Sequence, residues 1–135
     1  MEVAEVSWGE RGQAVAELAL LLPLFVFGLL GAADFTRAFS MQLAVQNAAR
    51  AGAEAAAIGI AATDDQIRAQ AREELSRVPG LDPLAATFDV TRTTGADGAR
   101  LVTVRARYTF ETLVAWPLIP VRADFDRSST MRRFP

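Results

Sequence analysis

Residues 13–62 read QAVAELALLLPLFVFGLLGAADFTRAFSMQLAVQNAARAGAEAAAIGIAA, and this stretch decides the fold. Pro23 is its one proline, so the run is expected as a single long helix. Within it, residues 18–33 (LALLLPLFVFGLLGAA) carry no charge. A helix in a soluble core normally keeps a polar stripe, and this segment has none. Alone it falls short of the roughly 20 residues that cross a bilayer. Extension back to Gly12 supplies the missing length and adds one charge, Glu17, while Asp34 and Arg37 close the run on the other side. Beyond Arg37 the helix turns amphipathic and alanine-rich. Ala44, Ala48, Gly52 and Ala56 recur every fourth residue, a small-residue stripe along which another helix can approach closely. A glycine inside a helix costs stability, so Gly52 reads as a concession to packing. Arg50 lies beside the stripe, within helical reach of Glu54.

Outward from this core, residues 1–12 (MEVAEVSWGERG) are polar and show no period. On the other side the pattern changes. Thr63-Asp64-Asp65-Gln66 is a capping box. Ile67, Ala71 and Leu75 then make the stripe of a short helix, which Pro79-Gly80 stops. The period next becomes two. Phe88 and Val90 alternate with Asp89 and Thr91, and residues 95–98 (GADG) make a turn. Val102, Val104, Ala106, Tyr108 and Phe110 then face one way, against Thr103, Arg105, Arg107 and Thr109. In a third run Val121, Ala123 and Phe125 oppose Arg122, Asp124 and Asp126. These are the marks of an antiparallel meander packed by one face on helix. The expected fold class is α+β: a long N-terminal transmembrane and stem helix, a short helix, and a three-stranded antiparallel sheet. The expected divisions are a leader at 1–12, a membrane helix at 13–35, a helical stem at 36–62 and a head at 63–135. The loop 115–120 (AWPLIP) is apolar and stiffened by two prolines. It is open to two readings, an exposed tip for a partner or membrane, or a cover over the sheet.

Composition narrows the chemistry. Alanine fills 26 of 135 positions, a bias typical of closely packed helices. All 14 basic residues are arginine, against 16 acids, with no basic run, so nucleic acid is set aside as a partner. The absence of cysteine and histidine removes disulfides, thiolate and imidazole metal sites, and most nucleophilic and acid–base constellations. No catalytic residue, metal, cofactor or small-molecule substrate is expected. Asp124 and Asp126 are the close carboxylate pair of the head's sheet, but Arg122 and Arg127 flank them, as on an ordinary solvated strand face.

The N-terminus admits three readings. One is a plain signal anchor. A second is a secretory signal released after Ala33, where Gly31-Ala32-Ala33 offers small residues. Glu2, Glu5, Glu10 and Glu17 against Arg11 speak against it, because secretory n-regions are positive. The third rests on Gly12 followed at a fixed distance by Glu17, just inside the apolar run. This resembles the prepilin processing site of type IV pilin-like proteins.

More of the chain agrees with that third reading. Arg11-Gly12, Glu17, Pro23, Asp34 with Arg37, and Ala48-Ala49-Arg50-Ala51-Gly52-Ala53 follow in the order of TadE-like proteins of the tight-adherence (Tad) pilus system. The segments VTVRARYTF and SSTMRR resemble the end of that family's short members. The resemblance implies cleavage after Gly12, Gln13 as the mature N-terminus, and Glu17 pairing with a neighbouring subunit's terminal amine. It also implies assembly contacts at Asp34, Arg37, Ala48, Arg50 and Gly52. The implied function is a minor pilin or pseudopilin, a structural subunit that primes, assembles or stabilises a pilus. Its partners would be other pilin or pseudopilin subunits, the Tad assembly platform, the prepilin peptidase and membrane lipid. Its place would be the inner membrane, spanning once, with the N-terminus cytoplasmic and the head outside. One departure is the acidic leader, where the family's leaders are usually basic. Loss of Glu2, Glu5, Glu10 and Arg11 would leave acids and arginines in balance. The alternatives are an unprocessed anchored accessory protein of the same machinery, and a secreted binding domain or small enzyme starting at Asp34.

Overall fold

The computed structural model describes residues 8–117 and 119–133, with side chains from Gly12 onward. Most of the expected leader, residues 1–7, and Leu118 of the expected loop lie outside the described residues. The element order is α1 (Trp8–Ala57), α2 (Asp64–Ser76), β1 (Thr87–Thr94), β2 (Arg100–Glu111) and β3 (Arg122–Arg132). The chain divides into two compact units, one up to Thr36 and one from Arg37 on.

The first unit is the N-terminal part of α1. Helix is already present at Trp8, inside the expected leader, and it continues through Pro23. Proline removes one backbone donor, and membrane helices accommodate this where neighbouring groups or a local adjustment of the helix re-satisfy the freed carbonyl. Leu20, Leu24 and Leu29 are 80%, 66% and 72% exposed, and a strongly apolar window with none of its residues buried makes this helix long and apolar enough to cross a membrane. In water such exposure would be costly, and in a bilayer it is the favoured state.

The second unit holds the core. α1 ends at Ala57 rather than running to Ala62. Gly59 takes a left-handed backbone (φ 82°), and the Ala61 N–H turns back to donate to the Ala55 carbonyl at 3.0 Å. The capping box forms as expected: the Thr63 hydroxyl accepts from the Gln66 N–H, and the Gln66 side chain accepts from the Thr63 N–H. Ile67, Ala71 and Leu75 of α2 are fully buried. The sheet has the order β1-β2-β3, antiparallel throughout, with Phe88 opposite Ala106 and Val104 opposite both Val90 and Ser129.

Buried side chains from α1 (Met41, Ala44, Val45, Ala48, Ala49, Ala53, Ala56) meet those of α2 and the sheet (Phe88, Val102, Val104, Ala106, Phe110) in one cluster. Long-range polar ties fasten the layers. The Arg68 Nε donates to the Phe88 carbonyl at 3.2 Å, and Arg92 pairs with Asp64 while donating to the Ala62 carbonyl. The Asp82 N–H donates to the Tyr108 hydroxyl at 3.3 Å, pinning the α2–β1 connection to the sheet.

The third expected strand needs correction in one respect. Val121 lies outside β3 and is exposed, Ala123 is exposed, and Phe125 is only half-buried. On β2, the central strand, Val102, Val104, Ala106 and Phe110 are buried and Tyr108 is half-buried, and burial thins further along β3 at the edge.

Candidate functional site

All of the expected processing and assembly residues fall on α1. In the first unit the Gln13 side-chain amide donates to a Glu17 carboxylate oxygen at 3.0 Å, one helical turn away. A carboxylate in hydrocarbon costs on the order of 2.5–3.5 kcal/mol on insertion scales, and a donor at this distance relieves part of that. A Cβ built on Gly12 meets nothing within 4 Å, so packing does not demand glycine at that position. Asp34 is buried, 5% exposed, and is the buried acid at the end of the apolar run. The Thr36 hydroxyl donates back to the Ala32 carbonyl at 2.8 Å.

In the second unit Arg37 is exposed and its guanidinium lies 5.4 Å from the centre of the Phe110 ring, in cation–π range. Phe110 in turn meets Phe125 at 6.1 Å between centroids. Arg50 is exposed on the outer side of α1 and lines a shallow groove with Glu54, Ile58 and Met131. Ion pairs among the described residues do not include one between Arg50 and Glu54, whose alignment along the helix had suggested a pair.

Ala48 and Gly52, expected among the assembly contacts, turn out to be packed inside the subunit itself. Ala48 is completely buried. A Cβ on Gly52 would lie 3.3 Å from the Ala71 Cβ and 3.3 Å from the Ile67 carbonyl oxygen. At Gly52 the small-residue stripe is therefore a close-packing face, and the helix it meets there is α2 of the same chain. The spacing of small residues reports close approach; it carries nothing about which helix approaches.

The open face of the sheet is a cross-strand charge ladder. Arg105 makes a two-pronged contact with Asp126, Arg107 bridges Asp126 at 3.4 Å and Asp89 at 3.1 Å, and Arg122 pairs with Glu111 at 2.8 Å. The hydrogen bond from Arg105 holds the Asp126 carboxyl below the usual carboxylate range, and the Arg105 guanidinium is raised in return. Asp124 accepts from the Thr109 hydroxyl at 2.7 Å. An acid held ionised by an arginine, beside one occupied by a threonine, makes a structural ladder and a poor general acid. Among the described residues no group of three or more acids converges in a way that could hold a metal ion.

Sequence reasoning missed the neck of the β2–β3 hairpin. Glu111 and Arg122 pair across it, the Thr112 N–H donates to the Val121 carbonyl at 3.0 Å, and the Thr112 hydroxyl donates to the Val114 carbonyl at 2.7 Å. The available signal was two opposite charges bracketing an uncharged run.

Residues 12–54, about a third of the chain, match the family model described as TadE-like protein. The matched stretch begins at Gly12 and contains every expected processing and assembly residue. No curated protein and no solved structure matches the chain.

Proposed function

We propose that this chain is a TadE-like minor pilin or pseudopilin, a structural subunit for assembling, priming or stabilising a Tad pilus. The observation that carries the reading is the TadE-like match at 12–54, laid over a helix apolar enough to span a membrane and bearing one carboxylate near its start. The N-terminal helix anchors the chain once in the inner membrane, with the N-terminus cytoplasmic and the head outside. Its bare apolar surface is the side offered to lipid or to neighbouring helices. Glu17 sets the axial register, because a carboxylate in lipid gains most where a cation meets it. Cleavage after Gly12 would create that cation at Gln13 of a neighbouring subunit. Glycine at 12 lowers helix stability by about 1 kcal/mol relative to alanine, and no neighbour requires it, which suits a protease recognition site better than a packing position.

Assembly contacts then fall to the exposed Glu17, Arg37 and Arg50, while Asp34, Ala48 and Gly52 are buried within the chain itself. The partners are other pilin or pseudopilin subunits, the Tad assembly platform, the prepilin peptidase and lipid. The role is structural rather than catalytic, with no cofactor.

A second reading, an unprocessed anchored accessory protein of the same machinery, draws support from α1 being helical at Trp8 and across Gly12. A protease needs an extended substrate, so this helix must open before cleavage. The mass of the N-terminal peptide, taken from protein in its native membrane, tests both. A start at Gln13 supports the processed subunit, and a start at Met1 or Glu2 supports the accessory anchor. A start at Asp34 would defeat both and return the head to the class of secreted domains.

A further inference from the structure

The two outer strands of the sheet differ in how their free edges are covered. At β1 the edge is partly closed by α2, whose Arg68 Nε donates to the Phe88 carbonyl at 3.2 Å. β3 has no such cover among the described residues. Its register with β2 runs unbroken from Arg122 to Arg132. Just beyond the two ends, the Thr112 N–H donates to the Val121 carbonyl at 3.0 Å and the Arg133 N–H to the Arg100 carbonyl at 2.8 Å, so the odd-numbered residues face β2. Alternate residues of an antiparallel strand direct their backbone groups to opposite sides. Those of Asp124, Asp126, Ser128, Thr130 and Arg132 therefore face outward. Among the described residues the contact on this edge is local: the Arg127 guanidinium donates to the Asp126 carbonyl at 2.9 Å, which leaves that oxygen a second lone pair. β3 also lacks the proline, glycine or lysine that blunts many edges.

Bare backbone accepts any strand, and the side chains of β3 select one. On its inner face Phe125 and Met131 are half-buried at the margin of the core. Met131 lines the shallow groove with Arg50, Glu54 and Ile58, and Ile58 is 57% exposed. When β3 meets a second β3 antiparallel and centred on Ser128, each position finds a complement. Asp124 stands opposite Arg132, Asp126 opposite Thr130, Phe125 opposite Met131 and Arg127 opposite Ser129, and two-fold symmetry repeats each pair. The neighbouring registers lack this match. Centring on Arg127 sets Arg122 against Arg132, centring on Ser129 sets Arg127 against Met131, and centring on Asp126 sets that acid against itself. In the Ser128 register, the second copy's Phe125 covers Met131 beside Ile58 and closes the groove.

We propose that the β3 edge pairs antiparallel with β3 of a second copy of this chain across a two-fold axis at Ser128, joining the two sheets edge to edge. Main-chain hydrogen bonds from the outward-facing residues supply the attachment, and the Asp124–Arg132 and Phe125–Met131 pairs fix the partner and the register. The contact uses residues of the second unit alone and goes beyond the pilus reading, on which it does not depend.

The test is the mass of the full chain in detergent micelles, by light scattering corrected for bound detergent, across a concentration series. The parent chain should dimerise. Asp124→Arg alone sets arginine against arginine, and Arg132→Asp alone sets acid against acid, so each should weaken the dimer by about tenfold or more. An equimolar mixture of the two variants restores an opposite charge at both pairs and should dimerise as the parent does. Within one chain the two positions lie about 27 Å apart along the strand, so such recovery has no source inside a subunit. Ser128→Pro removes an outward-facing N–H without touching the bonds to β2, and it should abolish the dimer. It supplies the comparison if circular dichroism shows that a charge variant misfolds. A parent chain that stays monomeric overturns the proposal. A dimer that ignores the charge variants and Ser128→Pro overturns it in favour of contacts elsewhere on the chain. Loss in both single variants without recovery in their mixture overturns the antiparallel register.

Discussion

Gly52 offers the sharpest test of how the two helices of the second unit are joined. Alanine there adds one methyl. Helix propensity alone would stabilise α1 by about 1 kcal/mol. The added carbon, however, arrives 3.3 Å from the Ala71 Cβ, 3.3 Å from the Ile67 carbonyl oxygen and 3.4 Å from the Ile67 Cγ2. Two of these atoms belong to fully buried side chains and the third to helical backbone, so relief requires α2 to move as a body. Overpacking of this kind costs about 1–3 kcal/mol. The net expectation for Gly52→Ala is a loss of up to about 2 kcal/mol, with a central value near 1. Valine retains less of the propensity gain and adds two further methyls, so Gly52→Val should lose about 3 kcal/mol. For a unit of this size each kcal/mol moves the melting temperature by about 4–8 °C. Ala71→Gly in the Gly52→Ala background removes one crowded partner and should recover part of the loss. The assay is thermal unfolding of the full chain in detergent micelles, followed by circular dichroism, with Gly12→Ala as the control that meets no neighbour. A rise in melting temperature for Gly52→Ala, or a valine variant no worse than alanine, would refute the close approach of α2. Had the stripe been an inter-subunit face, both variants would leave the isolated subunit intact and damage assembly alone.

Two further outcomes follow from the head. Thr63→Ala removes one half of a reciprocal cap and should cost about 1 kcal/mol, read as a lower urea midpoint and as faster amide exchange confined to the first turn of α2. Asp126 is held below its unfolded value by Arg105, so its contribution to stability is complete above the unfolded carboxylate range, about pH 4, and is lost as pH falls through the lowered folded value. Asp126→Asn should therefore flatten the fall of melting temperature on the acid side. Because the pair is open to solvent, the difference between variant and parent should shrink as salt is added.

Much of the fold was legible because its signals are local. The uncharged run, the capping box, the two-residue alternation of Phe88 to Phe110 and the glycine turn each specify backbone conformation from neighbours in sequence. Every one of those elements is present, with α1 stopped at Gly59 by a left-handed residue that the alanine-rich pattern had run past. The candidate site was legible in a different way. The positions of Gly12, Glu17, Asp34 and Arg37 against the apolar run are properties of order along the chain, and the family match covers that same stretch. What escaped were relations between elements. The exposure of Val121 and Ala123 depends on where the helical layer stops, and the pairing of Arg105 with Asp126 depends on strand register.

By itself, then, the sequence determined an apolar helix with one acid near its start, a capped second helix and three alternating strands. It could do so because hydrogen bonding and hydrophobic period act over a few residues. Only the tertiary structure decided that the small-residue stripe meets α2 of the same chain at Gly52, and that Leu113, Ile119 and Val121 of the hairpin tip are exposed rather than folded over the sheet. Both depend on which surfaces meet across long separations in sequence, where many arrangements satisfy the same local pattern and side-chain packing selects among them.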